Sequence, residues 1–178
     1  MKGLREFEIP YVGLKIGVHK FEYDIDGNFF RHFDDAPIHD CKVRVKLEFE
    51  KKETFFILNF FIDGSVSTEC DRCTAPFNKE IFGDYTCFVK FSDKAAELVD
   101  EDEVLFISRD ETIIDVSQLV YEYILLCLPM QRLGCKEPGK EPQCNKEVLK
   151  YLVKEGETKA EKTEEDPRWA ALKNLKKD

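Results

Sequence analysis

Alternating apolar and polar residues predict that the first half of the chain forms β-strands. The stretch Lys42–Glu50 alternates strictly, which would place its apolar residues on one face of a strand and its charged residues on the other. Three further stretches are rich in aromatic and β-branched residues and read as strands: Thr54–Ile62, Gly64–Cys70 and Glu80–Phe91. An antiparallel meander is the simplest sheet for such a series.

Two short sequences are typical of hairpin turns. Asp26-Gly27-Asn28 separates Leu14–Ile25 from Phe29–Phe33, and Asp63-Gly64 follows another predicted strand. Both would therefore connect neighbouring strands of the meander.

After Asp115 the apolar residues recur with the period of a helix. From Val116 to Leu128 they fall at i, i+3, i+4, i+7, i+8, i+11 and i+12, which places them on one helix face. Asp115 can cap this helix with Gln118 in the capping-box position, and Pro129 ends it. The predicted class is α+β: an antiparallel, partly barrel-like meander over the N-terminal two-thirds, with this amphipathic helix packed on the sheet.

The chain of 178 residues, 43% of them apolar, suits one domain with one core. We expect this domain over residues 1–153, with a short helix in Asn145–Val153. Residues 154–166 are almost wholly polar or charged and predict a mobile linker. Residues 167–178 would form a short helix that begins at Pro167 with Asp166 as its cap.

The first residues are charged, and no apolar run is long enough to cross a membrane, so we expect a cytoplasmic protein. The net charge is −9, which argues against a protein that simply grips phosphates. Most of this charge lies in Asp93–Glu122. That acidic segment suits a basic partner, or it is a solvated loop.

The sequence Cys70-Asp71-Arg72-Cys73 is the most informative motif. A C-x-x-C turn has the spacing of a tetrahedral zinc site, and the remaining pair would be Cys135 and Cys144. Three interpretations stay open. The cysteines Cys70, Cys73, Cys135 and Cys144 bind one structural Zn, the turn is metal-free with packed thiols, or the pair is redox-active.

The other cysteines and the histidines carry weaker signals. Cys41 and Cys127 lie at apolar positions and are expected in the core, whereas Cys87 is an alternative fourth zinc ligand. The three histidines lack any mutual metal spacing and are expected at polar strand or surface positions: His19, His32 and His39.

Nothing in the sequence predicts an enzyme. It contains neither a phosphate-binding glycine loop nor a calcium-loop pattern, and no nucleophile with an evident base. We therefore expect no small-molecule substrate and no membrane partner. Binding to RNA or protein is the remaining class, with these candidate contact residues: Arg72, Phe77, Arg168, Trp169, Leu172 and Lys173.

Several segments together resemble the YceD family. They are the C-x-R-C turn followed by Pro76-Phe77, the strand residues Tyr85, Cys87 and Phe88, Ile114-Asp115 before the helix, Leu126-Cys127-Leu128-Pro129 at its end, and the terminal segment Asp166–Leu175. The resemblance covers the chain from about Ser65 onward. The chain departs from family members that have a second C-x-x-C, which puts metal binding in question.

This resemblance implies a non-enzymatic, bacterial ribosome-biogenesis factor needed for synthesis, processing or stability of 23S rRNA. Its partners would be the large-subunit rRNA precursor, a basic ribosomal protein, or both. The alternative hypothesis is a zinc-stabilised adaptor that binds a basic ribosomal protein without contacting RNA.

Overall fold

The fold is given by a computed structural model, which describes residues 4–92, 103–134 and 144–151. The predicted linker 154–166 and terminal helix 167–178 lie outside these residues, as does the predicted ligand Cys135. The strands are β1 Glu8–Ile9, β2 Gly17–Asp26, β3 Cys41–Lys51, β4 Phe55–Glu69, β5 Pro76–Phe91, β6 Val104–Ile107 and β7 Ile114–Asp115. The α-helices are α1 Gly27–Phe30, α2 Ser117–Leu126 and α3 Lys146–Leu149, and 3-10 turns span Arg5–Phe7 and Tyr11–Gly13.

Five strands form one open sheet in the order β2-β3-β4-β5-β6. The first four are successive antiparallel neighbours, which confirms the α+β class and the predicted meander. Strand β6 instead pairs parallel with β5, so the sheet is mixed. Because β2 and β6 are its edges, the sheet is open, and the partly barrel-like form expected from the sequence does not close into a barrel. Strands β1 and β7 form a separate antiparallel pair.

The predicted hairpin turn at Asp63-Gly64 was wrong, since β4 runs through both residues. Gly64 lies opposite Val43 on β3. A Cβ atom at Gly64 would lie 2.3 Å from the carbonyl oxygen of Lys42. Glycine therefore permits a close approach of two strands here, which is another common reason for glycine inside a strand.

The predicted turn at Asp26-Gly27-Asn28 is the start of a helix instead of a hairpin. The Asp26 carboxylate accepts a hydrogen bond from the Asn28 N–H at 2.9 Å and caps α1. Helix α1 then buries Phe29 and Phe30. The strand that pairs with β2 is consequently β3, and residues Phe29–Phe33 form no strand.

Helix α2 packs on one face of the sheet, as predicted. The Tyr123 ring lies 5.1 Å from that of Phe60 on β4 and stacks at 4.6 Å on that of Tyr85 on β5. We call this covered face the inner face and the opposite one the outer face. Among the described helices, none is long and apolar enough to cross a bilayer.

The N-terminus of α2 differs in detail from the predicted capping box. The Asp115 carboxylate accepts from the Ser117 N–H at 2.8 Å. The Gln118 side chain, which was expected to turn back, donates instead to the Glu122 carboxylate at 2.7 Å, four residues along the helix. Asn145 caps the short α3 by accepting from the Glu147 N–H.

Candidate functional site: the Cys70–Cys73 turn

The C-x-x-C sequence forms the turn between the two longest strands, β4 and β5. Their pairing runs to Glu69 and Pro76, and the Cys70 N–H then donates to the Ala75 carbonyl at 3.0 Å. Within the turn, the Thr74 N–H donates to the Cys70 carbonyl at 2.8 Å, and Thr74 has a φ of 55°. A non-glycine residue in this left-handed region is uncommon, so the surrounding bonds hold a specific turn geometry.

Both cysteines of the turn point into the protein. Cys70 is 1% exposed and Cys73 is 0% exposed, whereas Arg72 between them is exposed. The turn therefore presents two sulfur atoms to the protein side and one guanidinium to solvent.

The segment after α2 is fastened to this turn through Arg132 and Asp71. The Asp71 N–H donates to the Arg132 carbonyl at 2.9 Å, and the Arg132 N–H donates to an Asp71 carboxylate oxygen at 2.6 Å. The guanidinium donates to the other carboxylate oxygen at 3.1 Å and to the Thr68 hydroxyl at 3.2 Å. The hydrogen bond from the Arg132 N–H, followed by the charge of its guanidinium, lowers the pKa of Asp71.

Sequence reasoning missed Arg132 altogether. The Asp71 carboxylate forms its ion pair with Arg132, which is 61 residues away in the chain. A pair at such a separation leaves no local pattern. A cation soon after the helix-ending Pro129 was the sole available signal.

Phe77, a candidate contact residue, packs against Gly134. A Cβ atom at Gly134 would lie 2.7 Å from Cγ of the Phe77 ring, so the backbone of Gly134 lies directly on that ring. The ring is half-buried and covered on this side. Together, Arg132 and Gly134 hold the chain against the turn up to the residue before Cys135.

The predicted zinc ligands are only partly within the described residues. Cys144 is half-buried just before α3, and Cys135 lies outside the described ranges. In the described part of the chain, no three His, Cys, Asp or Glu side chains form a group that could hold a metal ion. The candidate binding residues of the terminal segment also lie outside these ranges: Arg168, Trp169, Leu172 and Lys173.

Cys87 cannot be the alternative fourth ligand. It is buried in the core opposite Leu58, eleven residues along β5 from Pro76 at the turn. At about 3.3 Å per residue, this places it on the order of 30 Å or more from the turn. The core positions expected for Cys41 and Cys127 are confirmed. Cys41 is buried, and Cys127 packs partly buried against the core, its thiol donating to the Tyr85 hydroxyl at 3.7 Å.

An open cleft of about 540 Å³ lies beside the turn. Its lining is mostly polar and comprises Pro37, His39, Asp40, Ser67, Thr68, Glu69, Cys70, Asp71, Thr74, Pro76 and Arg132. The Ser67 N–H donates to the Asp40 carbonyl at 2.9 Å and so holds the 37–40 segment at one wall. Because carboxylates outnumber the guanidinium, the cleft is better suited to polar or basic groups than to phosphates.

Comparison with family models decides the relationship. Residues 58–176 match the family described as large ribosomal RNA subunit accumulation protein YceD. The chain belongs to the YceD family. The matched range takes in most of β4, the Cys70–Cys73 turn, β5, β6 and α2, and it extends over the terminal segment. Strands β2 and β3 precede it. No curated protein and no solved structure matches the chain.

Proposed function

We propose that this YceD-family protein supports the accumulation of 23S rRNA as a non-enzymatic assembly factor in the bacterial cytoplasm. The family match over residues 58–176 is the observation that carries this proposal. It acts on the synthesis, processing or stability of the rRNA, with the large-subunit precursor, a basic ribosomal protein, or both as its partners.

A gene-deletion experiment tests this proposal. We expect a strain that lacks the protein to contain less 23S than 16S rRNA, and a plasmid copy of the wild-type gene to restore the ratio. Quantitative gel analysis of total RNA gives the readout. An unchanged 23S to 16S ratio in the deletion strain would refute the role.

The net charge of −9 favours a second candidate, an adaptor that binds a basic ribosomal protein without contacting RNA. Phosphate contacts need Lys and Arg side chains to replace released counterions. An acidic surface instead attracts basic proteins and repels nucleic acid. The two candidate functions differ in whether the protein contacts RNA. Both would affect the amount of 23S rRNA.

We further propose that the turn contributes Cys70 and Cys73 to one structural Zn, completed by Cys135 and Cys144. Two buried sulfurs at a tight turn suit such a site, and Arg132 and Gly134 hold the segment leading to Cys135 against that turn. The ion would then link the β4–β5 turn to the region after α2.

Metal analysis of the purified chain tests the zinc site. We expect about one Zn per chain in protein purified without added metal, and its loss in Cys70→Ser, because a four-ligand site needs every thiolate. Cys41→Ser is the matched control, since Cys41 is also buried but bonds to the Ile25 carbonyl in the sheet. Absence of metal from freshly reduced wild-type protein would contradict the zinc site.

A further inference from the structure

The outer face of the sheet carries two exposed aromatic side chains. Along β4 and β5, residues alternate between the covered inner face and the outer face. On the outer face, Phe61 is 42% exposed and Phe82 is 83% exposed. Two described elements pack on the inner face of the sheet. Helix α2 packs on Phe60, and the 3-10 turn at Tyr11 packs on Phe56. Exposed apolar side chains that adjoin one another mark interaction surfaces more often than single ones do.

The strand register makes the two aromatic residues neighbours. Phe61 lies opposite Asp84, and Asp63 lies opposite Phe82. Phe61 and Phe82 are therefore diagonal neighbours on one face, with their Cα atoms about 7–8 Å apart. Together they form a small exposed apolar patch on the outer face.

Carboxylates surround Phe82. Asp63 lies across from it, and Glu80 and Asp84 flank it two residues away on the same face. Arg44, opposite Asp63, forms an ion pair with Asp24 at 3.2 Å. Lys46, opposite Phe61, is a second outward-facing cation on β3. We call Phe61, Phe82, Asp63, Glu80 and Asp84 the outer-face patch.

The charge of the patch decides which partner fits. A base stacked on Phe82 would bring its phosphates close to three carboxylates, and like charges at such separations repel. A polypeptide that carries Lys or Arg beside an apolar side chain would find the opposite arrangement. Its cations would meet the carboxylates or the face of the Phe82 ring, and its apolar side chain would cover Phe61.

We propose that the outer-face patch docks a basic protein segment with an apolar anchor residue. This inference rests on the proposed function and gives its protein partner a binding surface. The surface is separate from the Cys70–Cys73 turn: Phe82 lies opposite Asp63, seven residues from Cys70, or roughly 20 Å along β4.

Titration of the full-length chain with two kinds of probe, proteins and RNA, tests the proposal. The probes are individual proteins extracted from large ribosomal subunits, and 23S rRNA freed of protein. The variants are Phe82→Ser and Asp84→Lys, with Val18→Ser as the control because Val18 is 55% exposed at the β2 edge of the same face. Since all three side chains are exposed, each variant should unfold as cooperatively as wild type.

We expect saturable binding of a basic large-subunit protein, weakened at least about tenfold by Phe82→Ser and by Asp84→Lys. Val18→Ser should leave that affinity within about twofold of wild type. Three results would overturn the proposal. They are binding of 23S rRNA that depends on Phe82, self-association of the chain that Phe82→Ser abolishes, and protein binding indifferent to the patch or absent altogether.

A complementation experiment separates failure of this inference from failure of the proposed function. If deletion of the gene leaves 23S rRNA unchanged, the proposed function fails. If deletion lowers 23S rRNA but Phe82→Ser restores it as fully as wild type, the docking surface alone fails. We expect Phe82→Ser to restore it poorly and Val18→Ser to restore it fully.

Discussion

The hydroxyl group of Tyr23 is buried without a hydrogen-bonding partner among the described residues. Its ring stacks on that of Phe7 at 4.8 Å. Burial, with smaller contributions from the charges of Glu6 and Asp115, raises the pKa of Tyr23 to about 12. A buried hydroxyl that makes no hydrogen bond loses its interaction with water and gains nothing in return. Tyr11 is the opposite case, since its hydroxyl donates to the Glu111 carbonyl.

Removing the Tyr23 hydroxyl should therefore stabilise the protein. We expect Tyr23→Phe to raise the free energy of unfolding by about 1–2 kcal/mol, because the desolvated group is lost while the ring stays packed. Tyr11→Phe, the matched control, should lower it by about 1 kcal/mol through loss of a hydrogen bond. Urea denaturation of both variants measures the difference. Equal destabilisation by the two would show that Tyr23 has a partner.

At the scale of elements, periodicity was informative and turn chemistry was ambiguous. Strand β3 and helix α2 were predictable because burial of one face imposes a period on each. Asp26-Gly27 and Asp63-Gly64 were misassigned because these pairs also occur at a helix cap and within a strand. In the candidate site, the C-x-x-C turn was visible in the sequence. Its contact with Arg132 was not, because tertiary pairing has no local signature.

The packing of Gly134 on Phe77 gives a test of how the post-helix segment is held. A methyl group at Gly134 would overlap the base of the Phe77 ring, which cannot rotate away as a side-chain tip would. Gly134→Ala should lower the free energy of unfolding by about 1–3 kcal/mol. In a Phe77→Ala background this cost should largely disappear, with a coupling energy of about 1 kcal/mol or more.

Gly13→Ala is the matched control for that cycle, because nothing lies within 4 Å of a Cβ atom there. It should change stability by less than about 0.5 kcal/mol. Thermal or urea unfolding of the wild type and the variants provides the four corners of the cycle. Additive effects of Gly134→Ala and Phe77→Ala would contradict this packing and would show that Phe77 does not hold Gly134 at the turn.

At the scale of the whole molecule, the sheet separates two kinds of surface. The inner face is consumed by the core, which leaves the outer face, the cleft and the turn among the surfaces open to a partner. The sequence predicted alternation along the strands and their order as a meander, but it did not show the register between them. The diagonal pairing of Phe61 with Phe82 depends on that register. The outer-face patch therefore could not be predicted from the sequence. The acidic charge that selects its partner could be.

The overall charge makes a final prediction about RNA. A protein that neutralises six to ten phosphates loses about 10³–10⁵ in affinity between about 50 and 200 mM salt. For a chain of net charge −9 we expect weak binding to deproteinised 23S rRNA, with less than about a tenfold change over that range. Filter binding measures this, with a basic large-subunit protein as the positive control. A steep salt dependence would contradict the expectation and would implicate Arg72, Arg168 and Lys173 as phosphate contacts.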